Sequence, residues 1–325
     1  MKVLICGGGG MLGQKLALHV AQNGLGDAPA ATLSLHDIDF PTWTSTGAPA
    51  QIAGDLSDPS RAPMLIRNRP DVVFHLAAVV SGEAEADFDK GWRVNMTGTW
   101  QLLEALRAAH LASGGSYRPR VVFTSSIAVF GGPYPDRIDD EFLSAPQTSY
   151  GAQKVVGEMM IADFTRKGFI DGLSIRLPTI CVRPGRPNQA ASSFFSAIIR
   201  EPLNGREATL PVPETVRHWH ASPQAAVGFL THAATLDTDR LNGRRALNLP
   251  GVSCTVAEQI EALRAIAGND AVARIKRRPD RTIMRIVEGW PRDFSTDRAL
   301  ALGFAAEPDF ETIVRTYIAH DLPNA

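Results

Sequence analysis

The stretch VLICGGGGMLGQKLA, residues 3–17, decides the fold. It begins inside KVLIC (2–6), a continuous apolar run of strand length, the pattern of a strand covered on both faces. Gly7, Gly10 and Gly13 follow at once in a G-x-x-G-x-x-G spacing, and helical periodicity then runs from about Gly10 to Asn23. Glycine permits a tight turn and lets backbone approach a pyrophosphate. The helix start behind it, which carries Met11 and Leu12, offers free N–H groups and a positive dipole end. A flexible glycine turn is the plain alternative. Placement between a first strand and an amphipathic helix favours a dinucleotide site.

Such a site also needs an acid at the end of the second strand, to accept hydrogen bonds from ribose hydroxyls. TLSLHD (32–37) ends on Asp37, with Asp39 as the competing candidate. A carboxylate there repels a 2′-phosphate, so NAD is expected rather than NADP. Residues 50–54 form a weak third strand, and Asp55 and Leu56 behind it are expected at the adenine edge. Asp55 could equally cap a helix starting near Pro59. DVVFHLA (71–77) and RVVFTSS (120–126) read as strong strands separated by a helical stretch over 88–110. A helix over 149–167 and the strand LSIRL (173–177) continue the alternation. After Pro178 prolines and arginines crowd in, with helical pieces near 191–200, 222–236, 255–267 and 309–320 and a short strand in RALNLP. The expectation is an α/β fold: a Rossmann-type doubly wound parallel sheet over 1–178 and a smaller mixed α/β lobe over 179–325, the chain crossing back to the sheet around 215–250.

The whole composition agrees with a folded enzyme-sized chain. Its 325 residues are 44% hydrophobic and 21% charged, enough to bury a large core. Lys plus Arg number 33 against 34 Asp plus Glu, which removes the electrostatic case for a nucleic-acid binder. Three dispersed cysteines make neither a disulfide scaffold nor a metal knuckle. No segment nears the roughly 20 apolar residues that span a bilayer, and the N-terminus lacks the apolar core of a signal peptide. A cytoplasmic protein without a membrane or nucleic-acid partner is expected, and no metal site.

The chemistry concentrates in SYGAQKVVGE, where Tyr150 and Lys154 stand at i and i+4 on one helix face, just beyond the serine-rich strand end FTSS. Oxidising an alcohol requires a base for the hydroxyl proton while hydride leaves carbon. A free phenol, with a pKa near 10, is a poor base at neutral pH. A nearby ammonium and an oxidised nicotinamide both favour the phenolate, so Lys154 is expected to lower the pKa of Tyr150 and to hold the nicotinamide ribose. Ser126 is placed to orient the substrate oxygen. The alternative for the pair is an exposed helix contact.

These residues resemble the short-chain dehydrogenase/reductase superfamily, extended type. The resemblance rests on GGGGMLG, Asp37, Asp55–Leu56, HLAA at 75–78, Asn95, TSSIAVFG at 124–131, YGAQK at 150–154 and RLP at 176–178. It implies Ser126, with Ser125 as fallback, as the catalytic serine beside Tyr150 and Lys154. It implies that Leu76, Ala77 and Ala78 line the cofactor, that Asn95 helps close the site, and that Pro178 and Thr179 lie near the carboxamide. Blocks at 79–89, 182–203 and 216–223 are similar to a branch of sugar-acid dehydrogenases. They imply NAD-dependent oxidation of the C2 hydroxyl of a four-carbon acid, D-erythronate, to the 2-oxo acid, and a homodimer through the helices at 88–110 and 149–167.

Nucleotide-sugar relatives often carry R-D-F-x-H-V-x-D where this chain has RHWHASP, keeping Arg217 and losing the acids. Arg217 is therefore expected to clamp a small carboxylate, with a structural salt bridge as the alternative. Ser81, Glu83, Arg186 and Asn188 are weaker pocket candidates, with an ordinary loop role as the alternative. His218 and His220 read as a packed or hydrogen-bonded pair, and the acidic run at 83–89 as a lid or a polar loop. Two other functions compete: a nucleotide-sugar epimerase or dehydratase that returns the hydride, and a non-catalytic NAD-sensing protein.

Overall fold

The computed structural model describes residues 1–26, 28–43, 48–185 and 191–322. Its strands are β1 (Lys2–Cys6), β2 (Thr32–Asp37), β3 (Ala50–Ala53), β4 (Val72–His75), β5 (Arg120–Ser126), β6 (Asp171–Leu177), β7 (Thr179–Ile180), β8 (Ala208–Leu210), β9 (Arg217–Ala221), β10 (Ala246–Asn248), β11 (Val252–Thr255) and β12 (Ile275–Arg277). Between them run α1 (Met11–Asn23), α2 (Arg61–Ile66), α3 (Ser81–Ala86), α4 (Phe88–Gly91), α5 (Gly98–Ala112), α6 (Ser149–Arg166), α7 (Ser193–Leu203), α8 (Pro223–Thr235), α9 (Val256–Val272), α10 (Arg281–Glu288), α11 (Asp297–Ala301) and α12 (Phe310–His320).

Seven strands form one parallel sheet in the order β10-β6-β5-β4-β1-β2-β3. The apolar run of β1 explains its central place. Val3 and Ile5 pack with Leu16 and Val20 of α1 on one face, while Leu4 and Cys6 pack with Leu102 and Leu106 of α5 on the other. A strand with two buried faces cannot sit at an edge. Chain direction across the sheet reverses between β1 and β4, and the crevice beyond the carboxyl ends at such a point is where ligands bind in open α/β sheets.

The second half divides. Helix α8 packs on α1 and β5, and β10 forms the edge of the main sheet. The rest encloses its own core, in which Phe195, Ile198 and Ile199 of α7 meet Ile260 and Leu263 of α9 and Ile313 and Tyr317 of α12. A three-stranded sheet β11-β9-β7 and the pair β12-β8 complete this lobe. Strands β8, β9, β11 and β12 were not expected from sequence, because each is short and lacks a clean period, and α10, although amphipathic, is only 8 residues long.

The helix foreseen over 88–110 is present and continuous from Phe88 to Ala112, with a π-helical turn, Trp92–Thr97, between α4 and α5. The acidic run at 83–89 is not a loop but largely α3 and the start of α4. Its Glu85 accepts a hydrogen bond from the Ser149 backbone N–H, which ties α3 to the start of α6. Among the described residues no helix is long and apolar enough to cross a membrane.

Candidate active site

A cavity of about 540 Å³ opens beyond the carboxyl ends of β1, β4 and β5. One wall is backbone. Gly7, Gly10, Met11, Leu12 and Gly13 line it, facing Leu76 and Ala78. Gly7 has φ +90°, and a Cβ there would lie 2.6 Å from the Ala77 amide nitrogen. At Gly13 a Cβ would come within 2.1 Å of the Gly7 carbonyl oxygen. Only glycine therefore lets the turn, α1 and the β4 exit pack this closely. Gly10 is the N-cap of α1 and gives it no side-chain cap, so the first-turn N–H groups keep their capacity for an anion. Ala77 does not line the cavity; it serves through its backbone, pressed on Gly7.

Asp37 ends β2 beside this loop. Its Oδ2 accepts from the Gly9 amide at 2.8 Å and its Oδ1 from the Ile38 amide at 2.7 Å. Asp39 instead accepts from the Phe40 amide next to it. The geometry thus favours Asp37 as the acid of the site, and a helix N-terminus, a glycine cradle and this carboxylate fit a dinucleotide.

Asp55 has protein partners of its own. It accepts from the Ser57 amide and hydroxyl and pairs with Arg93, and these contacts hold its pKa below the usual carboxylate value despite the opposing, largest effect of desolvation. It does not cap α2, whose N-cap is Ser60. Leu56 is 5% exposed and packs in the core behind the sheet with Leu102 and Leu106. Neither lines the cavity. Asn95 also sits behind the wall: it accepts from the Val79 amide at 2.8 Å and donates to Gln153 Oε1 at 2.6 Å. It ties the β4 exit loop to α6, so it shapes the wall without lining it.

The opposite wall carries the chemistry. Thr148 caps α6, accepting from the Gly151 amide, which fixes the helix start at Ser149 and turns Tyr150 and Lys154 onto the cavity. Lys154 Nζ donates to the Thr124 carbonyl at 2.8 Å and lies over the Phe123 and Tyr150 rings, 4.7 and 5.5 Å from their centroids. Burial pushes its pKa down to about 7, with Glu158 pulling the other way. Burial also pushes the Tyr150 phenol up to about 12, opposed by the charge of Arg183 and by hydrogen bonding to Ser126. Two cations thus face the phenol: Lys154 over its ring, and Arg183, whose charge opposes the rise.

Both serines line the cavity, but with different partners. Ser125 donates to Glu158, which is buried in a bidentate pair with Arg176 at 2.8 and 2.9 Å. Ser126 lines the cavity, accepts only from the Ala128 amide at 3.1 Å among the described residues, and lies against Tyr150. Ser81, Pro178 and Thr179 line the cavity as well. The Thr179 hydroxyl is bonded to His218 Nε2 at 2.7 Å, and His218 Nδ1 bonds the Pro291 carbonyl. Burial drives the His218 pKa down to about 4, so the ring is neutral.

Arg217 is not in this site. Strand β9 alternates, so His218 faces the cavity and Arg217 the other side, where it pairs with Glu258 at 3.1 Å and donates to the Ser253 carbonyl. It is a structural salt bridge. Arg186 and Asn188 lie outside the described residues. Two arginines that sequence reasoning passed over do line the cavity: Arg183, at the exit of β7, and Arg200 on α7. The sequence held one signal for Arg200. It stands on the stripe of Phe195, Ser196 and Ile199, a charge on an otherwise apolar helix face.

The cavity lining holds Lys154, Arg183 and Arg200 and no carboxylate among the described residues. It can take a nucleotide along the glycine wall and an anionic hydroxy compound against the other. Residues 3–237 match the model of the NAD dependent epimerase/dehydratase family. The chain is 46% identical over 323 residues to D-erythronate dehydrogenase of Cupriavidus necator, covering 98% of each chain. It is 40% identical to D-erythronate dehydrogenase of Haemophilus influenzae, covering 99% of this chain and 100% of the other. A solved structure described as a nucleoside-diphosphate-sugar epimerase from Agrobacterium tumefaciens superposes with a TM-score of 0.96 at 53% identity, covering 100% of this chain and 95% of that one.

Proposed function

This chain belongs to the NAD-dependent epimerase/dehydratase family, and from that premise we propose that it is an NAD-dependent sugar-acid dehydrogenase that converts D-erythronate to 2-dehydro-D-erythronate. One observation carries the reading: Ser126, Tyr150 and Lys154 meet the glycine loop in a single cavity whose lining is cationic and acid-free among the described residues. The two D-erythronate dehydrogenases, similar over nearly their full lengths, support the substrate.

When bound along the glycine wall, NAD supplies the acceptor for the hydride that leaves C2. The Ser126 hydroxyl holds the C2 oxygen beside the Tyr150 phenol. Tyr150, as phenolate, removes the hydroxyl proton as the C2–H bond breaks, and the C2–O bond becomes the carbonyl of the 2-oxo acid. Arg183 favours that phenolate by its charge. Lys154, fixed by the Thr124 carbonyl, is the residue for the nicotinamide ribose and adds positive charge when protonated. Leu76, Ala78, Pro178 and Thr179 wall off water around the reacting carbon.

The likeness to the structure described as an epimerase favours a second reading, in which the same residues act on a nucleotide sugar and the hydride is returned. Arg217 weighs against it. The one basic residue kept from the nucleotide-sugar pattern is spent on Glu258 and faces away from the cavity. A protein that only senses NAD has no use for a base in contact with a serine. Tyr150→Phe separates these readings: turnover should fall by about 10³-fold while the NAD dissociation constant stays within twofold. Normal turnover in that variant would remove the mechanism. A cytoplasmic location fits three free, buried cysteines. A second copy packed on α5 and α6 would cover the exposed Trp100 and Met159.

A further inference from the structure

Arg200 is 4% exposed, yet it lines the cavity. Its guanidinium is held from two sides: Nε donates to Glu201 Oε1 at 2.8 Å, and Nη1 donates to the Arg183 carbonyl at 2.8 Å. The third nitrogen, Nη2, is buried without a hydrogen-bond partner among the described residues. A buried charged donor lacking an acceptor is costly, and this residue lines the cavity, where a bound anion would complete it. Arg183 is anchored beside it. Its Nε donates to the Ile180 carbonyl at 2.9 Å, its Nη2 reaches Ser192 Oγ at 3.3 Å, and its amide donates to Ser196 Oγ at 3.0 Å. Two guanidiniums are thus fixed on one wall, and Glu201, which pairs with Arg200, is shared with Arg206. Positive charge therefore remains for a bound anion.

We propose that Arg183 and Arg200 together receive the carboxylate of the substrate, and so select a 2-hydroxy acid over a neutral polyol and determine which carbon is oxidised. This rests on the dehydrogenase reading above and deepens it. In a 2-hydroxy acid the carboxylate is bonded directly to the carbinol carbon. Holding C1 on the arginines therefore limits the hydroxyls that can reach Ser126 and Tyr150, and C2 is the nearest. Planar guanidiniums suit this task because their paired N–H groups match the two carboxylate oxygens. Thr179 and His218 give the pocket neutral, fixed neighbours, since burial keeps the imidazole uncharged.

The test uses the full-length protein with NAD and D-erythronate. Arg183→Gln and Arg200→Gln should each raise the KM for D-erythronate by about 30-fold or more, with the NAD dissociation constant within twofold of wild type. Arg200→Lys keeps the charge without the fork and should fall between, which holds the claim testable if the glutamine variant folds poorly. D-erythronate should raise the melting temperature of the wild-type NAD complex and leave that of Arg183→Gln unchanged, while erythritol should shift neither. A KM within threefold of wild type in both glutamine variants would overturn the proposal. A wild type that oxidises no acid, yet is stabilised by D-erythronate through Arg183, would instead overturn the dehydrogenase reading and keep the anion site.

Discussion

The two walls of the cavity are made of different material. The nucleotide wall is main chain: Gly7 and Gly13 pressed on backbone atoms at distances no Cβ tolerates, and the uncapped start of α1. The substrate wall is side chain: Tyr150, Lys154, Arg183, Arg200 and His218, brought from α6, β7, α7 and β9 and all shifted or paired by burial. A main-chain wall recognises what many ligands share, a pyrophosphate, and depends on shape. A wall of buried ionisable groups recognises one chemistry and depends on charge states that desolvation controls.

Acid should damage the side-chain wall through its histidines. His218 is held neutral by burial, with its pKa near 4, and His75 behind the sheet, bonded to Thr99, is near 3. Both are below the unfolded value of about 6.5. The unfolded chain therefore takes up protons that the folded one refuses. Stability is complete above about pH 6.5 and falls as the pH drops below it. At pH 5 each histidine should cost about 2 kcal/mol, at 1.36 kcal/mol per unit. Burial lowers His220 and His36 as well, so urea unfolding at pH 7.5 and pH 5 measures the sum over all four, and His218→Gln should remove only its own share, about 2 kcal/mol at 1.36 kcal/mol per unit. An unchanged pH dependence in that variant would break the contrast between the walls.

The main-chain wall should instead fail sterically. Gly13→Ala places a methyl group 2.1 Å from the Gly7 oxygen and 2.8 Å from the Gly8 Cα. The loop must move, at about 1–3 kcal/mol, and NAD affinity measured by titration calorimetry should fall about tenfold or more. Its dependence on pH should stay that of wild type. Smallest of all is Arg217→Ala, outside both walls, where an exposed pair contributes about 0–1 kcal/mol. Both kcat and KM for D-erythronate should stay within about threefold, and a larger rise in KM would return Arg217 to the substrate wall.

The same contrast explains what could be read from the amino-acid order. The glycine loop, Asp37 and the Tyr150–Lys154 pair are local patterns, each set by a few consecutive residues within one strand–turn–helix unit. They are found together in the structure. Arg183 and Arg200 meet only because α7 docks beside β7, a contact of tertiary packing that no short window contains. Arg217 misled for a related reason. Its place on β9 decides which side it faces, and a one-residue difference in a strand exchanges Arg217 for His218. Asp55 and Leu56 are read from their place behind the third strand, and only the folded chain shows that Arg93 pairs with the one and the α5 core packs on the other.

The most direct measurement of the central claim is NADH formation by purified protein offered NAD or NADP with D-erythronate, L-threonate, D-glucuronate or a UDP-sugar. NADH should form with D-erythronate and NAD, and little or no NADPH with NADP, because the Asp37 carboxylate would repel a 2′-phosphate. Conversion of the UDP-sugar without net NADH, and with no acid oxidised, would contradict the dehydrogenase reading.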